Sequence, residues 1–299
     1  FNPTDKHDGI PIRRPGVLAA KKGYATAITA LKAFGANLDI PDTDGKTPVY
    51  VAAENGHAAV IATLRAAGAA VETSSSTQHN YYHGHAHRDF GQAIHIAAKN
   101  GHAAVITALK AAGANVDVPD SNGRTPIRIA VENGHVEAIR ALQAAGANVN
   151  AIDKDEKTLI HIVVEDRKNF SLDRFSDYNP GLRQAEIIAT LKSLGANVDS
   201  PDKDGKTPVY IASEKGNAEA IMALKAAGAD VEKVRTKKSE QHNNYHYHDS
   251  YQRNDFNKPI HIAAKNGHAE AITASKAPGA DVNALDTAGN VPVHNADEK

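Results

Sequence analysis

Histidines are the residues of this chain whose type and spacing could most directly do chemistry. His83, His85 and His87 alternate along the sequence, and His246 and His248 repeat the arrangement with two. Alternate residues of an extended segment lie on one face, and neutral imidazole is a good ligand for zinc, copper or nickel. The spacing therefore leaves a metal site as an alternative. The favoured interpretation is that these histidines are hydrogen-bonded or solvated, because a structural zinc usually takes four ligands and the chain has no cysteine to supply one.

Tyrosines are concentrated in the same two segments. Tyrosine offers a broad, rigid contact area with a polar tip and is enriched at protein interfaces. We therefore predict that these residues bind a partner, although an aromatic cluster that only steadies each segment is the competing interpretation. Five of the nine tyrosines of the chain are involved: Tyr81, Tyr82, Tyr245, Tyr247 and Tyr251.

Catalytic patterns are absent from the sequence. The chain has no phosphate-binding loop, no nucleophile elbow and no zinc-protease helix. Ser74–Ser76 precede the first histidine cluster in a polar run without any evident oxyanion support. We expect no enzyme activity and no cofactor other than the metal considered above. Aspartates recur where we predict turns, and Asx-type turn bonding explains them: Asp42, Asp120, Asp153, Asp202 and Asp286.

Charge and composition exclude several classes of protein. Lysine plus arginine (34) nearly cancels aspartate plus glutamate (35), so the formal charge is -1 and charge-driven binding of nucleic acid is disfavoured. Hydrophobic residues make up 41% of the chain, which is too rich for a disordered protein. No apolar run approaches the length of a membrane span. The lack of cysteine leaves the compartment open, with an intracellular location favoured over a secreted one.

A repeat organises the chain. A Gly-Ala pair closes an alanine-rich helical stretch seven times, at spacings of 33, 45, 33, 49, 33 and 51 residues. A 33-residue unit is thus lengthened at every second step, by insertions that we place at about 72–91, 167–183 and 235–257. The first glycines of these pairs are Gly35, Gly68, Gly113, Gly146, Gly195, Gly228 and Gly279.

One plain unit shows the predicted local structure. A tight turn ends at Gly45, Thr47 caps a helix, and Pro48 fits the first helical position because no N–H is needed there. Gly56 ends this first helix, and a second helix follows over 57–67. Neither helix can bury its apolar face alone, so neighbouring units must stack.

These residues resemble the ankyrin-repeat family, whose signature is T-P-L-H-x-A. The resemblance implies an all-α repeat solenoid in which each unit is a β-hairpin turn plus two antiparallel helices. We predict a single solenoid over 1–299, with about seven helix pairs and a partial C-terminal repeat. The matching motifs are Thr47-Pro48-Val49-Tyr50, Thr125-Pro126-Ile127-Arg128, Thr207-Pro208-Val209-Tyr210 and Lys258-Pro259-Ile260-His261.

The resemblance also implies a non-catalytic scaffold that binds a protein partner through hairpin tips and first helices. The predicted contact residues, in addition to the tyrosines above, are Lys46, Tyr50, Arg124, Arg128, Lys206 and Tyr210. Histidines at repeat positions are expected to tie adjacent turns together through hydrogen bonds: His57, His95, His102, His135, His161, His261, His268 and His294.

A second function stays open from the sequence. The incomplete last repeat and the small-residue faces of the helices could stack head to tail, and a heterologous contact that does not close would build a filament. The partner is then another copy of the chain. Nothing in the sequence identifies any other partner.

Overall fold

The computed structural model describes residues 14–71, 92–165, 180–233, 258–276, 281–285, 289, 291 and 292. These residues form fourteen α-helices and no strand. In chain order the helices are α1 (Pro15–Lys22), α2 (Ala25–Ala33), α3 (Pro48–Glu54), α4 (Ala58–Ala66), α5 (Ala93–Lys99), α6 (Ala103–Ala111), α7 (Pro126–Glu132), α8 (Val136–Ala144), α9 (Leu159–Glu165), α10 (Pro180–Ser193), α11 (Pro208–Glu214), α12 (Ala218–Ala226), α13 (Pro259–Lys265) and α14 (Ala269–Lys276).

The helix boundaries follow the local signals of the sequence. Thr47 is the N-cap of α3, its hydroxyl accepts a hydrogen bond from the Tyr50 amide, and Pro48 opens the helix. The helix ends at Asn55, and Gly56 takes φ of 80° in the left-handed region that favours glycine. Thr207 and Pro208 repeat this start at α11. The predicted cap, first turn and stop of the plain unit are confirmed.

The chain divides into two compact units. The first comprises Phe1–Ala130 and Glu137–Ala147, and the second comprises Val131–Val136 and Asn148–Lys299. In the first unit, α1, α3 and α5 contact one another in succession, and α2, α4 and α6 form a second row. In the second unit, α9, α11 and α13 form one row while α10, α12 and α14 form the other. Each unit therefore has the helix-pair stacking of an all-α repeat solenoid.

The core of each unit is built from repeating aliphatic triplets in the second helices. Val60, Ile61 and Leu64 of α4 are fully buried, and α6 repeats the set one repeat later. Alanines such as Ala52 and Ala53 are also fully buried in the first helices. The small alanine side chain allows successive helices to approach closely, while the aliphatic triplets exclude water between the rows.

The end of the insertion predicted over 167–183 is helical, because α10 begins at Pro180 and runs for 14 residues, whereas α8 and α12 have 9. Proline at the first helical position is pre-set for the helical φ, which explains the early start. The rest of this insertion, and the insertions predicted at about 72–91 and 235–257, lie outside the described residues. The single-solenoid arrangement over 1–299 stays a prediction.

The helices are short and carry many polar residues. Within the described ranges, no helix combines the length and the apolar character that crossing a bilayer requires.

Candidate partner-binding surface

Turns preceding the first helices share one hydrogen-bond design. The Asp42 carboxylate accepts hydrogen bonds from the amides of Asp44 (3.0 Å) and Lys46 (2.8 Å), and the Asp42 amide donates to the Lys46 carbonyl. The Asx-type bonding predicted for the turn aspartates is therefore confirmed here. The same two bonds are made by Asp120, Asp153 and Asp202, while Asp286 lies outside the described residues.

The turn at Asp120 also carries an ion pair. The Arg124 guanidinium donates to the Asp120 carboxylate through Nε (2.9 Å) and lies 2.8 Å from it through a second nitrogen. Burial raises the pKa of Asp120, but the backbone and guanidinium hydrogen bonds from Arg124 outweigh it, so the pKa lies below its usual value. Both charges of this turn are held in place before any partner arrives.

A lysine-glutamate pair recurs across three first helices. The Lys46 ammonium at the start of α3 donates to both carboxylate oxygens of Glu54 at its end, at 2.7 and 3.0 Å. Lys46 lies just before the N-cap Thr47, so its long side chain runs along the seven-residue helix to reach Glu54 in the last turn. The pairs Lys157 with Glu165 and Lys206 with Glu214 repeat the geometry at 2.7 to 2.8 Å. In α3, α9 and α11 the lysine of the pair thus lies at the end of the helix that follows the turn, which we call the turn edge, and both members of each pair are half-buried.

Two of the tyrosines predicted as contact residues, Tyr50 and Tyr210, lie beneath the lysines of two of these pairs. Tyr50 is 4% exposed and Tyr210 is 3% exposed, so the prediction that they present a surface to a partner is wrong. Their rings fill the core between first helices, and the lysine ammonium lies 5.6 Å from the Tyr50 ring centroid and 5.8 Å from that of Tyr210. Burial, reinforced by the Glu54 charge, raises the pKa of Tyr50 to about 12.

Histidine replaces this tyrosine in three other repeats, where it ties a first helix to the next turn. Nε2 of His95 lies 2.9 Å from the Val118 carbonyl, that of His161 lies 3.1 Å from the Lys206 carbonyl, and that of His261 lies 3.0 Å from the Ala284 carbonyl. Burial lowers the pKa of His161. The predicted structural role of these histidines is confirmed.

A second set of histidines ties neighbouring inter-helix loops together. The Nε2 atoms of His57, His102 and His268 lie 3.1 to 3.2 Å from a carbonyl of the preceding repeat. Each ring lies over the loop glycine of that repeat, so close that an added Cβ on Gly56 would lie 3.1 Å from the His102 ring. The structural role is confirmed for these three as well, and His294 lies outside the described residues.

The structure does not test the remaining predicted site residues. Arg124 and Arg128 lie at one turn and its first helix and are half-buried. Metal binding by the histidine clusters stays a prediction, and the part of the chain that the structure describes contains no group of three residues suited to a metal ion. The following residues lie outside the described ranges: Tyr81, Tyr82, Tyr245, Tyr247, Tyr251, His83, His85, His87, His246 and His248.

The recurrent lysine-glutamate pair was missed by the sequence interpretation. Its signal is the separation of eight residues between Lys46 and Glu54, which recurs from Lys206 to Glu214. The interpretation treated the lysines as isolated contact residues. Alignment of the repeats on their turns would have exposed the pairing, because both members stand at equal distances from each turn.

Comparisons with known proteins agree with this geometry. The family model described as ankyrin repeats (3 copies) matches residues 74–153 and 181–286, whereas no curated protein sequence matches the chain. The human ASB11 ankyrin repeat domain is 22% identical with a TM-score of 0.59, over 90% of this chain and 100% of that chain. The ankyrin repeat domain of Bcl-3, a member of the IkappaB protein family, is 19% identical with a TM-score of 0.62, over 90% of this chain and 99% of that chain. At these identities the likeness shows the fold.

Proposed function

The chain belongs to the ankyrin-repeat family, whose repeats generally mediate protein–protein interaction and are generally not catalytic, and we propose that it is a scaffold that binds a protein partner. The proposed contact surface is the turn edge of the first helices, including Lys46, Arg124, Arg128 and Lys206. Tyr50 and Tyr210 support this edge from below rather than touching the partner.

The recurrent lysine-glutamate pair is the observation that carries this proposal. Each pair is half-buried and fixed by two hydrogen bonds. A partner therefore meets charged groups whose side-chain freedom is already restricted, which reduces the entropy lost on binding. Alternating positive and negative groups favour a partner of complementary mixed charge rather than a polyanion. The chain's net charge of -1 agrees with this preference.

The tyrosine-rich segments extend the proposed surface. Support comes from their composition: five of nine tyrosines fall at 81, 82, 245, 247 and 251. Both segments enter the repeat that follows a buried tyrosine, Tyr50 in one case and Tyr210 in the other. We thus propose that both tyrosine-rich segments contact the partner.

Affinity capture with charge-neutralised variants tests the proposal. Lys46→Gln, Arg124→Gln and Lys206→Gln together remove three positive charges from the turn edge, and captured proteins should be lost. The matched control is Lys32→Gln, Lys110→Gln and Lys225→Gln, which removes three charges from the last turns of second helices. Equal capture by the two triple variants, with both folded by circular dichroism, contradicts the proposed surface.

Head-to-tail self-association is a second candidate. The first helix pair leaves two aromatic residues exposed, Tyr24 at 59% and Phe34 at 91%. Exposed aromatic side chains favour protein contacts. Light scattering over a concentration series should then show growth beyond 31.7 kDa that Phe34→Ala reduces. A constant monomer mass at high concentration removes this candidate.

Metal capture by the histidine clusters is a third candidate, supported only by their spacing. Calorimetry with zinc, copper and nickel at neutral pH should give stoichiometric binding that His83→Ala and His246→Ala weaken. Absence of any stoichiometric heat eliminates it.

A further inference from the structure

Asparagine precedes glycine at five places in the chain. This dipeptide is prone to spontaneous deamidation, because glycine has no Cβ and its amide nitrogen can reach the carbonyl carbon of the asparagine side chain. All five sites have the same reacting atoms, so differences in rate between them come from structure or from the flanking residues. The sites are Asn55-Gly56, Asn100-Gly101, Asn122-Gly123, Asn133-Gly134 and Asn266-Gly267.

Four of the five sites lie in loops between paired helices, and although Asn55 and Asn100 are exposed, three of the four side chains are held by a hydrogen bond. The side-chain amide of Asn55 donates to the Val51 carbonyl at 2.8 Å. Those of Asn100 and Asn266 donate to carbonyls of the preceding repeat, at 2.9 and 3.1 Å. Asn133 is half-buried and is also engaged by a neighbouring group. To react, the side chains of Asn55, Asn100 and Asn266 must leave these carbonyls.

Asn122 is the fifth site, and it lies at an exposed turn tip. Both Asn122 and Gly123 are exposed, and an added Cβ on Gly123 would contact nothing within 4 Å. The turn is held by bonds within itself: the Asp120 carboxylate accepts from the amides of Asn122 (2.9 Å) and Arg124 (2.8 Å) and from the Arg124 guanidinium, and the Asp120 carbonyl accepts from the Gly123 amide (2.9 Å). Among the described residues, no group bonds the Asn122 side chain. Opening this turn breaks no contact with a neighbouring repeat, so it requires less free energy than opening the inter-helix loops of Asn100 and Asn266.

We infer that Asn122 is the site at which the folded chain deamidates. The Gly123 amide nitrogen attacks the Asn122 side-chain carbonyl carbon, a carbon–nitrogen bond forms, and ammonia leaves with the displaced proton. Water then adds to either carbonyl of the resulting succinimide and opens it to aspartate or isoaspartate. The net change is consumption of one water and release of one ammonia, with no oxidant or reductant.

The aspartate product fits the fold of the turn. Sister turns already carry aspartate at this position: Asp44 and Asp204 donate their amides to Asp42 and Asp202 at 3.0 and 2.9 Å. The aspartate product therefore adds a negative charge to the turn of Arg124 without requiring a new backbone arrangement, whereas the isoaspartate product inserts a methylene into the backbone there. That the charge alters partner binding rests on the proposed function, whereas the deamidation itself does not.

Peptide mapping of the aged full chain in heavy-oxygen water tests the inference. Every deamidation in that solvent adds a labelled oxygen, so mass spectrometry of a protease digest gives a rate for each of the five sites. In the folded chain, we expect Asn122 to deamidate about three- to tenfold faster than Asn55, Asn100 and Asn266, as one protecting hydrogen bond implies. In urea the five rates should converge.

Two controls make the result decisive. Asn122→Asp has no side-chain amide to release as ammonia, so it should gain label at this turn only through the slower cyclisation of Asp-Gly, and its circular dichroism should equal that of the parent chain. A folded chain in which an inter-helix asparagine reacts as fast as Asn122 overturns the inference. Retention of the same ratio of rates in urea also overturns it, because the selectivity would then come from flanking sequence. Neither outcome bears on the proposed partner surface, since no partner is used.

Discussion

Ser213 illustrates how single residues depart from the repeat pattern. It lies fully buried in α11, and within the described residues its hydroxyl has no hydrogen-bond partner. Ala53 holds the same position in α3 and is also fully buried. A buried hydroxyl without a partner loses its hydrogen bonds to water and regains nothing, so this serine costs stability that alanine would not.

We expect Ser213→Ala to raise the free energy of unfolding by about 1 kcal/mol. Ser275 is the matched control, because it is equally buried but its hydroxyl donates to the Ala271 carbonyl at 2.8 Å. Ser275→Ala should therefore raise the free energy of unfolding by less than Ser213→Ala does, or lower it. Urea unfolding of the two variants measures the difference, and a larger gain from Ser275→Ala would contradict this account.

His161 is held in one neutral tautomer by its neighbours. Its Nδ1 accepts from the Thr158 amide at 3.1 Å, so its Nε2 carries the proton that is donated to the Lys206 carbonyl at 3.1 Å. Burial lowers its pKa, and although Asp202 and Glu165 oppose this effect, they do not reverse it. Adding a proton to Nδ1 would set two donors against each other.

His161 should make stability depend on pH. Its folded pKa lies below its unfolded value of about 6.5, so the unfolded state binds more protons as pH falls. The contribution of neutral His161 to the free energy of unfolding is complete above the unfolded pKa and is lost as pH falls through the folded pKa. Urea unfolding of the parent chain and of His161→Gln should show their difference in stability shrinking below about pH 6.5. A difference that stays constant down to acid unfolding would contradict this.

At the scale of the element, one turn departs from its sisters. Glu156 has φ of 57°, in the left-handed region, where the equivalent turns carry Gly45, Gly123 and Gly205. A side chain other than glycine costs roughly 1 kcal/mol or more in this conformation. Glu156→Gly should therefore raise the free energy of unfolding by about 1 kcal/mol, measured by urea unfolding. The reciprocal change Gly45→Glu, where an added Cβ contacts nothing within 4 Å, should lower it by a similar amount, and opposite signs would refute the strain argument.

The joint between repeats can be tested at two equivalent glycines. An added Cβ would lie 2.7 Å from the His268 ring at Gly216 but would contact nothing within 4 Å at Gly267. Both glycines have positive φ, so alanine strains both backbones equally. Gly216→Ala should cost about 1 to 3 kcal/mol more than Gly267→Ala, because only it also displaces the histidine. Equal losses of stability would show that the histidine contact does not constrain the joint.

At the scale of the whole molecule, stability is expected to be local. Each described helix row joins only successive repeats, so a weakened joint should affect its neighbours more than distant repeats. Hydrogen exchange on Gly216→Ala should rise in α11 to α14 and stay unchanged in α1 to α4. A uniform rise across the chain would mean that the molecule unfolds as one cooperative block.

The sequence by itself determined the repeat and its local structure. Turn aspartates, threonine caps, first-position prolines and loop glycines act through their own backbone neighbours, which is why the roles of Thr47, Pro48 and Gly56 follow from the sequence alone. The helical fold followed from these signals, and the family followed from the resemblance of their motifs to the T-P-L-H-x-A signature. Repeat histidines such as His57 and His102 could be assigned because their partners recur in the neighbouring unit.

Only the tertiary structure decided which side chains face outward. A seven-residue first helix carries no strong amphipathic pattern, so burial of Tyr50 and Tyr210 depends on the next repeat lying against them. The hydrogen bonds that hold Asn100 and Asn266 depend in the same way on carbonyls of the preceding repeat, which are distant in sequence. Burial is a property of stacked units, and a single unit taken alone does not contain it.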